Sequence, residues 1–214
     1  MPPVNTSARR SRRSRTNDAL DVIIEFAGSQ DGFFTASQVA GSGVDRRHLQ
    51  RLISQGLLER ESRGLFRLRT ASDGGRAELW RAVLWPAVQR AENPNAVLSD
   101  GTALSLYNTT TINSRVIDVT VPKATRLRRH VPTAVRIHQR DYGAQDVTRV
   151  HGLPTTTLFR TLVDLIEAGR DLQFVDEALE NVLSHAALSR SDIAALHSFR
   201  ALDPRIASIL TNRR

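Results

Sequence analysis

The apolar positions of this chain fall into short runs with two different periods. Leu20, Ile23, Ile24 and Ala27 repeat at helical spacing, after Asn17 or Asp18 as a cap and up to Gly28, which predicts an amphipathic helix with one core face. Phe33 and Phe34 lead to Thr35, a good N-cap for a short second helix with Ala36, Val39 and Ala40, and Gly41-Ser42-Gly43 breaks it. Asp45 caps a third helix from Arg46 to Gln55, with Leu49, Leu52 and Ile53 as its apolar stripe and Gly56 as its stop. Leu57 to Glu61 and Leu65 to Arg69 read as strands about a turn at Ser62-Arg63-Gly64. Helix, helix, tight turn, helix, hairpin is the order of a winged helix-turn-helix, here over residues 17–72.

Asp73-Gly74-Gly75 then reads as a linker to a second domain over residues 76–214. Glu78 to Ala91 has helical spacing through Trp80, Leu84, Trp85 and Val88, although Pro86 must kink or restart it. Ser99 caps a helix with Ala103, Leu104 and Leu106. Val116 to Val121 and Ala134 to His138 alternate as strands, and Val147 to His151 does so more weakly. Thr155 to Glu167, Leu172 to Ser184 and Ser191 to Ser198 are helices by period and caps. The fold class is therefore α+β: a winged helix-turn-helix followed by a mixed domain with a small sheet packed by helices.

Composition narrows the partners. Length suits two modest domains, and with 40% apolar and 24% charged residues each can bury a core. Thirty Lys and Arg against 22 Asp and Glu give a net charge of +8, which points to polyanions. All but Lys123 of those bases are Arg, a bias that a GC-rich genome also produces. The absence of Cys excludes disulfides, thiol catalysis and Cys-ligated zinc, and fits a reducing cytosol. No apolar run is long enough to span a bilayer and the basic N-terminus lacks an apolar stretch behind it, so a cytoplasmic protein without membrane contact is expected. An Arg- and Ser-rich, acid-free leader also resembles an organellar transit peptide.

Residues 1–16 form a basic arm with Arg9, Arg10, Arg12, Arg13 and Arg15 and no acid, a composition expected to be disordered alone and suited to phosphate attraction or entry into a minor groove. On the third helix, the face opposite the apolar stripe carries Arg47, Arg51 and Ser54, with Arg46 and Gln50 near its start. Arg pairs bidentately with guanine O6 and N7, and Gln with adenine N6 and N7, so this face is suited to reading bases. The hairpin adds Arg60, Arg63, Arg67 and Arg69 for phosphates, opposed by Glu59 and Glu61, and Arg63 at the tip is the best placed. A second basic group lies on or between the later strands, with Lys123, Arg126, Arg128, Arg129 and Arg136 at its centre and Arg115, Arg140 and Arg149 around it. It suits DNA, RNA, an acidic partner or simple surface charge, and the acidic stretch Glu167 to Glu180 can pair with it.

No catalytic residue, cofactor site or metal site is identified. The chain has no GxxxxGK loop, no HExxH, no GxSxG and no kinase set. Asp118 lies on a strand but no acid-x-Lys pair follows it, and His130, His138, His151, His185 and His197 are too scattered along the chain for a metal site.

The run Gly32-Phe33-Phe34-Thr35-Ala36-Ser37-Gln38-Val39-Ala40, residues Asp45 to Leu58 and Arg63-Gly64-Leu65-Phe66-Arg67-Leu68 resemble the N-terminal domain of AbiEi-family antitoxins. Leu98-Ser99-Asp100-Gly101-Thr102-Ala103-Leu104, Val116 to Pro122, Gly152-Leu153-Pro154 and Thr157-Leu158-Phe159-Arg160-Thr161-Leu162-Val163-Asp164-Leu165 are similar to the family's second domain. The resemblance implies a type IV antitoxin that represses its own operon at inverted repeats and counteracts a nucleotidyltransferase-like toxin with the second domain. Some relatives continue into a nuclease-like domain, of which this chain shows no motif; the Arg-rich arm departs from the shortest family pattern. Two alternatives stay open: a plain regulator whose second domain senses a ligand, and an antitoxin that modifies its toxin enzymatically, for example by phosphoryl transfer.

Overall fold

The computed structural model describes residues 18–72, 74–87, 96–110, 115–127, 130–169, 172–184 and 188–197, and Pro204. The basic arm, Asn17, Val88, Arg128, Arg129 and His185 fall outside the described residues. The chain divides into two compact units, Met1–Asn95 and Ala96–Arg214.

In the first unit, helix α1 covers residues 18–28. It is followed by β1 (Phe33–Thr35), α2 (Ala36–Ala40), α3 (Arg46–Ser54), the strands β2 (Leu58–Ser62) and β3 (Leu65–Leu68), and α4 (Ala77–Ala87). The three strands form one antiparallel sheet in the order β1-β3-β2. Thr35 ends β1 and caps α2 through a capping box with Gln38, which explains why the chain turns from strand to helix without a loop. Asp45 does the same for α3, accepting from the amides of Arg47 and His48 at 2.8 and 2.9 Å. Gly56, at φ +74°, lets the chain leave α3 in the left-handed conformation that the sequence pattern requires there.

Ile23, Ala27, Phe34, Val39, Leu49, Leu52, Leu58, Phe66 and Leu68 make the core, with Phe34 stacked on Phe66. Ile24 does not join them. It is 49% exposed, because the buried stripe of α1 runs through Ala19, Ile23 and Ala27, and Ile24 lies a third of a turn away from it. Phe33 and Phe34, which the sequence pattern assigns to a lead-in, form the edge strand β1 and are both fully buried.

The division between units falls later than Asp73-Gly74-Gly75. Arg76 pairs with Asp31 at 3.3 Å, and a Cβ on Gly74 would stand 2.6 Å from an Asp31 carboxylate oxygen, so this segment is fastened to the first unit. The helix after it, α4, packs on β1 and contains Pro86 in its last turn without ending there.

The second unit holds β4 (Val97–Leu98), α5 (Asp100–Leu106), β5 (Ile117–Val121), β6 (Val135–Gln139), β7 (Val147–Val150), β8 (Leu153–Thr156), α6 (Leu158–Glu167), α7 (Leu172–Ser184) and α8 (Arg190–His197). Its five strands run β6-β5-β4-β8-β7, with β5/β6 and β4/β8 parallel and the other neighbours antiparallel. Helix α5 packs on β5, α6 on α5 and α7. Leu104, Leu162, Leu165, Leu179, Val182 and Leu196 are at the centre of their helical core.

Two details differ from the sequence pattern. Thr155 and Thr156 belong to β8 rather than to a helix start, and Thr157 alone caps α6. His151 and Gly152, both with positive φ, form the two-residue turn of the β7-β8 hairpin, so the strand stops at Val150.

Candidate nucleic-acid interface

Helix α3 buries Leu49 and Leu52 and leaves Arg46, Arg47, Gln50, Arg51 and Ser54 exposed, as its spacing requires. Between α3 and the β2-β3 hairpin lies an open cleft of ≈ 540 Å³. Arg46 and Gln50 line it from the helix, Arg60 and Arg63 from the hairpin, and Val44, Ile53 and Phe66 form apolar wall. Arg46, Arg47 and Gln50 border a second recess of ≈ 500 Å³ at the helix start. Basic and amide side chains from two elements thus converge on one concave face.

The one acid in this cleft, Asp45, is committed to capping. Hydrogen bonds from the His48 and Arg47 amides, with the nearby His48 ring, hold its carboxyl below the usual range. Ser54 donates its hydroxyl to the Arg51 carbonyl at 2.8 Å, so its side chain serves its own helix.

The hairpin arginines do not all share the placement expected from strand alternation. Arg60, Arg63 and Arg69 are exposed. Arg67 is half-buried, and its guanidinium lies over the Phe33 ring, 5.0 Å from the centroid. Arg81 of α4 approaches the same ring at 5.4 Å. Arg67 is thereby engaged by the first unit's own aromatic edge rather than set out beside Arg63.

In the second unit the basic group divides. Arg136 is exposed on the edge strand β6, whereas Lys123 and Arg126 follow β5, where Lys123 lies 3.7 Å from Asp141. Arg149, on the opposite edge strand β7, donates to the Gly152 carbonyl at 2.7 Å. Arg140 belongs to a different structure altogether, a buried charge network.

That network was not legible in the sequence. His138 Nε2 lies 2.9 Å from Asp118 and 3.1 Å from Asp100, both carboxylates being almost fully buried. Arg140 grips Asp100 with both terminal nitrogens, at 2.6 and 3.3 Å, and reaches Asp164 at 3.4 Å. Arg160 joins Asp164 to Asp146, and Arg136 covers Asp118 at 3.4 Å. Burial works against the charge on Arg140, yet its bond to Asp100 and the surrounding carboxylates raise its pKa overall. Burial likewise pushes the Asp164 carboxyl up, against the pull of Arg140 and Arg160. Asp100 holds this position at φ +46°, a left-handed conformation that non-glycine residues seldom keep without a compensating interaction.

His138 is therefore not a scattered histidine. The ligand-type atoms of Asp100, Asp118 and His138 lie within 4.8 Å of one another, a spacing a metal ion can bridge. The same carboxylates are paired with Arg140 and Arg136 in an ion-pair network joining α5, β5, β6 and α6, in which the buried Asp164 Oδ2 lacks a hydrogen bond.

Fold and site together define a two-unit α+β protein with small sheets, whose N-terminal unit presents an Arg-lined helix beside a basic hairpin. Residues 21–69, the segment that builds this face, match the family model described as transcriptional regulator, AbiEi antitoxin, in agreement with the resemblance seen in the sequence. The fold is similar to the crystal structure of the RV2827C protein from Mycobacterium tuberculosis, with a TM-score of 0.52 and 17% identity over 92% of this chain and 82% of that one. Comparison with curated proteins finds no match. No described helix is long and apolar enough to cross a membrane.

Proposed function

We propose that this protein is a DNA-binding antitoxin whose first unit is a winged helix-turn-helix. α2 and α3 are its helix-turn-helix, the β2-β3 hairpin is the wing, and α3 enters the major groove. The observation that carries the reading is the convergence of Arg46 and Gln50 of α3 with Arg60 and Arg63 of the hairpin on one concave face built by the segment that matches the family model. Arg47, Gln50 and Arg51 read base edges; Arg60, Arg63 and Arg69 contact phosphates and set register. The target is an inverted repeat in the protein's own operon, where binding represses transcription. The Arg9 to Arg15 arm adds phosphate attraction.

The second unit counteracts a nucleotidyltransferase-like toxin, a role that rests on the resemblance of its segments to the family's second domain. The protein acts in the cytoplasm, without a cofactor. Co-expression with the product of the adjacent gene, scored for growth and co-purification, tests this role. Rescue of growth is expected; a toxic neighbour that this chain does not relieve would remove the antitoxin assignment while leaving DNA binding to stand or fall by itself.

A further inference from the structure

A hairpin meant to lie along phosphates carries an acid, Glu61, whose presence the DNA-binding reading alone does not explain. Its place in the sheet does. The β2-β3 register is regular from Leu58 to Arg60 and resumes at Ser62, so Glu61 is the extra residue of a bulge, where the ladder holds the backbone least and the strand is re-aimed. Arg81 of α4 takes up its carboxylate with two nitrogens, at 2.9 and 3.5 Å. The pair is partly shielded, with side-chain exposures of 16% for Glu61 and 35% for Arg81. The Glu61 hydrogen bond outweighs desolvation and raises the Arg81 pKa. The Arg81 guanidinium also lies over Phe33 of β1, so one side chain of α4 touches both edge strands of the sheet. On its other side the tip is tied to α2, where the Ala36 amide donates to the Gly64 carbonyl at 2.9 Å.

Resting on the DNA-binding reading, we propose that Arg81, through Glu61, is a positioning residue for DNA binding that fixes the hairpin tip and with it Arg63, two residues beyond the bulge. Arg81 acts in this role through its contacts with Glu61 and Phe33. Displacement of α4, which carries Arg81, would therefore release the tip and weaken phosphate contact.

The test uses the full chain and two duplexes, one carrying the DNA upstream of its own coding sequence and one of scrambled order. Charge alone predicts that Glu61→Ala tightens binding, since an acid leaves a DNA-facing hairpin. The positioning role predicts the opposite: binding to both duplexes weakens about threefold, the order of one lost phosphate contact, and adding Arg63→Ala costs little more. Amide exchange over residues 58–68 accelerates in Glu61→Ala and in Arg81→Met, while the α3 amides keep their protection. Arg81→Lys, which keeps the charge without the fork, falls between wild type and Arg81→Met and supplies the comparison if Glu61→Ala loses its folded circular dichroism. Binding of Glu61→Ala as tight as wild type, or losses that multiply in the double variant, overturns the proposal. A wild-type chain that binds neither duplex overturns the DNA-binding reading instead, and unchanged hairpin exchange then overturns the Arg81 contact as a constraint in its own right.

Discussion

The chain's two tyrosines, Tyr107 and Tyr142, both lie in the second unit and both have phenols raised by burial, Tyr142 to about 12. The sign follows from linkage. A phenol whose folded pKa exceeds its unfolded value of roughly 10 contributes stability that is fully present below pH ~10 and is lost as the pH rises through the folded value. Absorbance of phenolate near 295 nm should therefore rise only well above pH ~10 while circular dichroism stays folded, and stability of the second unit should decline over that interval. Half-ionisation of both tyrosines near pH ~10 in a folded protein would contradict their burial. At this scale the exposed polar face of α3 was the most legible, because helical spacing alone separates Arg47 and Arg51 from Leu49 and Leu52. Arg67 was not. Alternation along β3 places it opposite Phe66, but only the pairing Phe33↔Arg67 and the approach of α4 give its guanidinium an aromatic partner.

Between elements, the buried network predicts an asymmetric response to mutation. Arg140→Met leaves Asp100 buried without its bidentate partner and should cost about 3–5 kcal/mol, measured by denaturant unfolding at neutral pH. Arg149→Met, which removes only an exposed bond to the Gly152 carbonyl, should change stability by less than about 0.5 kcal/mol. Equal effects would mean the network does not hold α5 and α6 to the sheet. The network escaped sequence reading because most of its contacts join residues distant in the chain, among them those made by the parallel register that sets Thr120 beside His138 and Asp118 beside Arg136. Alternation did put Asp118 and Thr120 on one face of β5; what it lacked was the neighbouring strand. Likewise, α2, α3 and the hairpin were legible from caps and the Arg63-Gly64 turn, all local signals. β1, β4 and β8 were not, since runs of two to four residues carry too little period, and Thr155 and Thr156 satisfy cap and strand preferences alike.

For the whole molecule, α4 changes where the activities should be separated. Residues 1–95, with α4 retained, should bind the duplex, and residues 96–214 should relieve the toxin without repressing the promoter. The arm offers a comparison that does not depend on where the units are cut: deleting Met1 to Arg15 should weaken binding to all sequences and flatten the dependence of log K on log salt by about 0.9 per lost phosphate contact. Identical salt slopes would leave the arm no role in binding. The central claim, that α3 reads DNA, is tested most directly by titrating the full chain and its Arg47→Ala and Arg51→Ala variants against the upstream duplex at one fixed salt concentration. Each variant should fold as wild type and lose about 1–3 kcal/mol at that duplex, with a smaller loss on scrambled DNA. Wild-type affinity for the upstream duplex in both variants would contradict the claim.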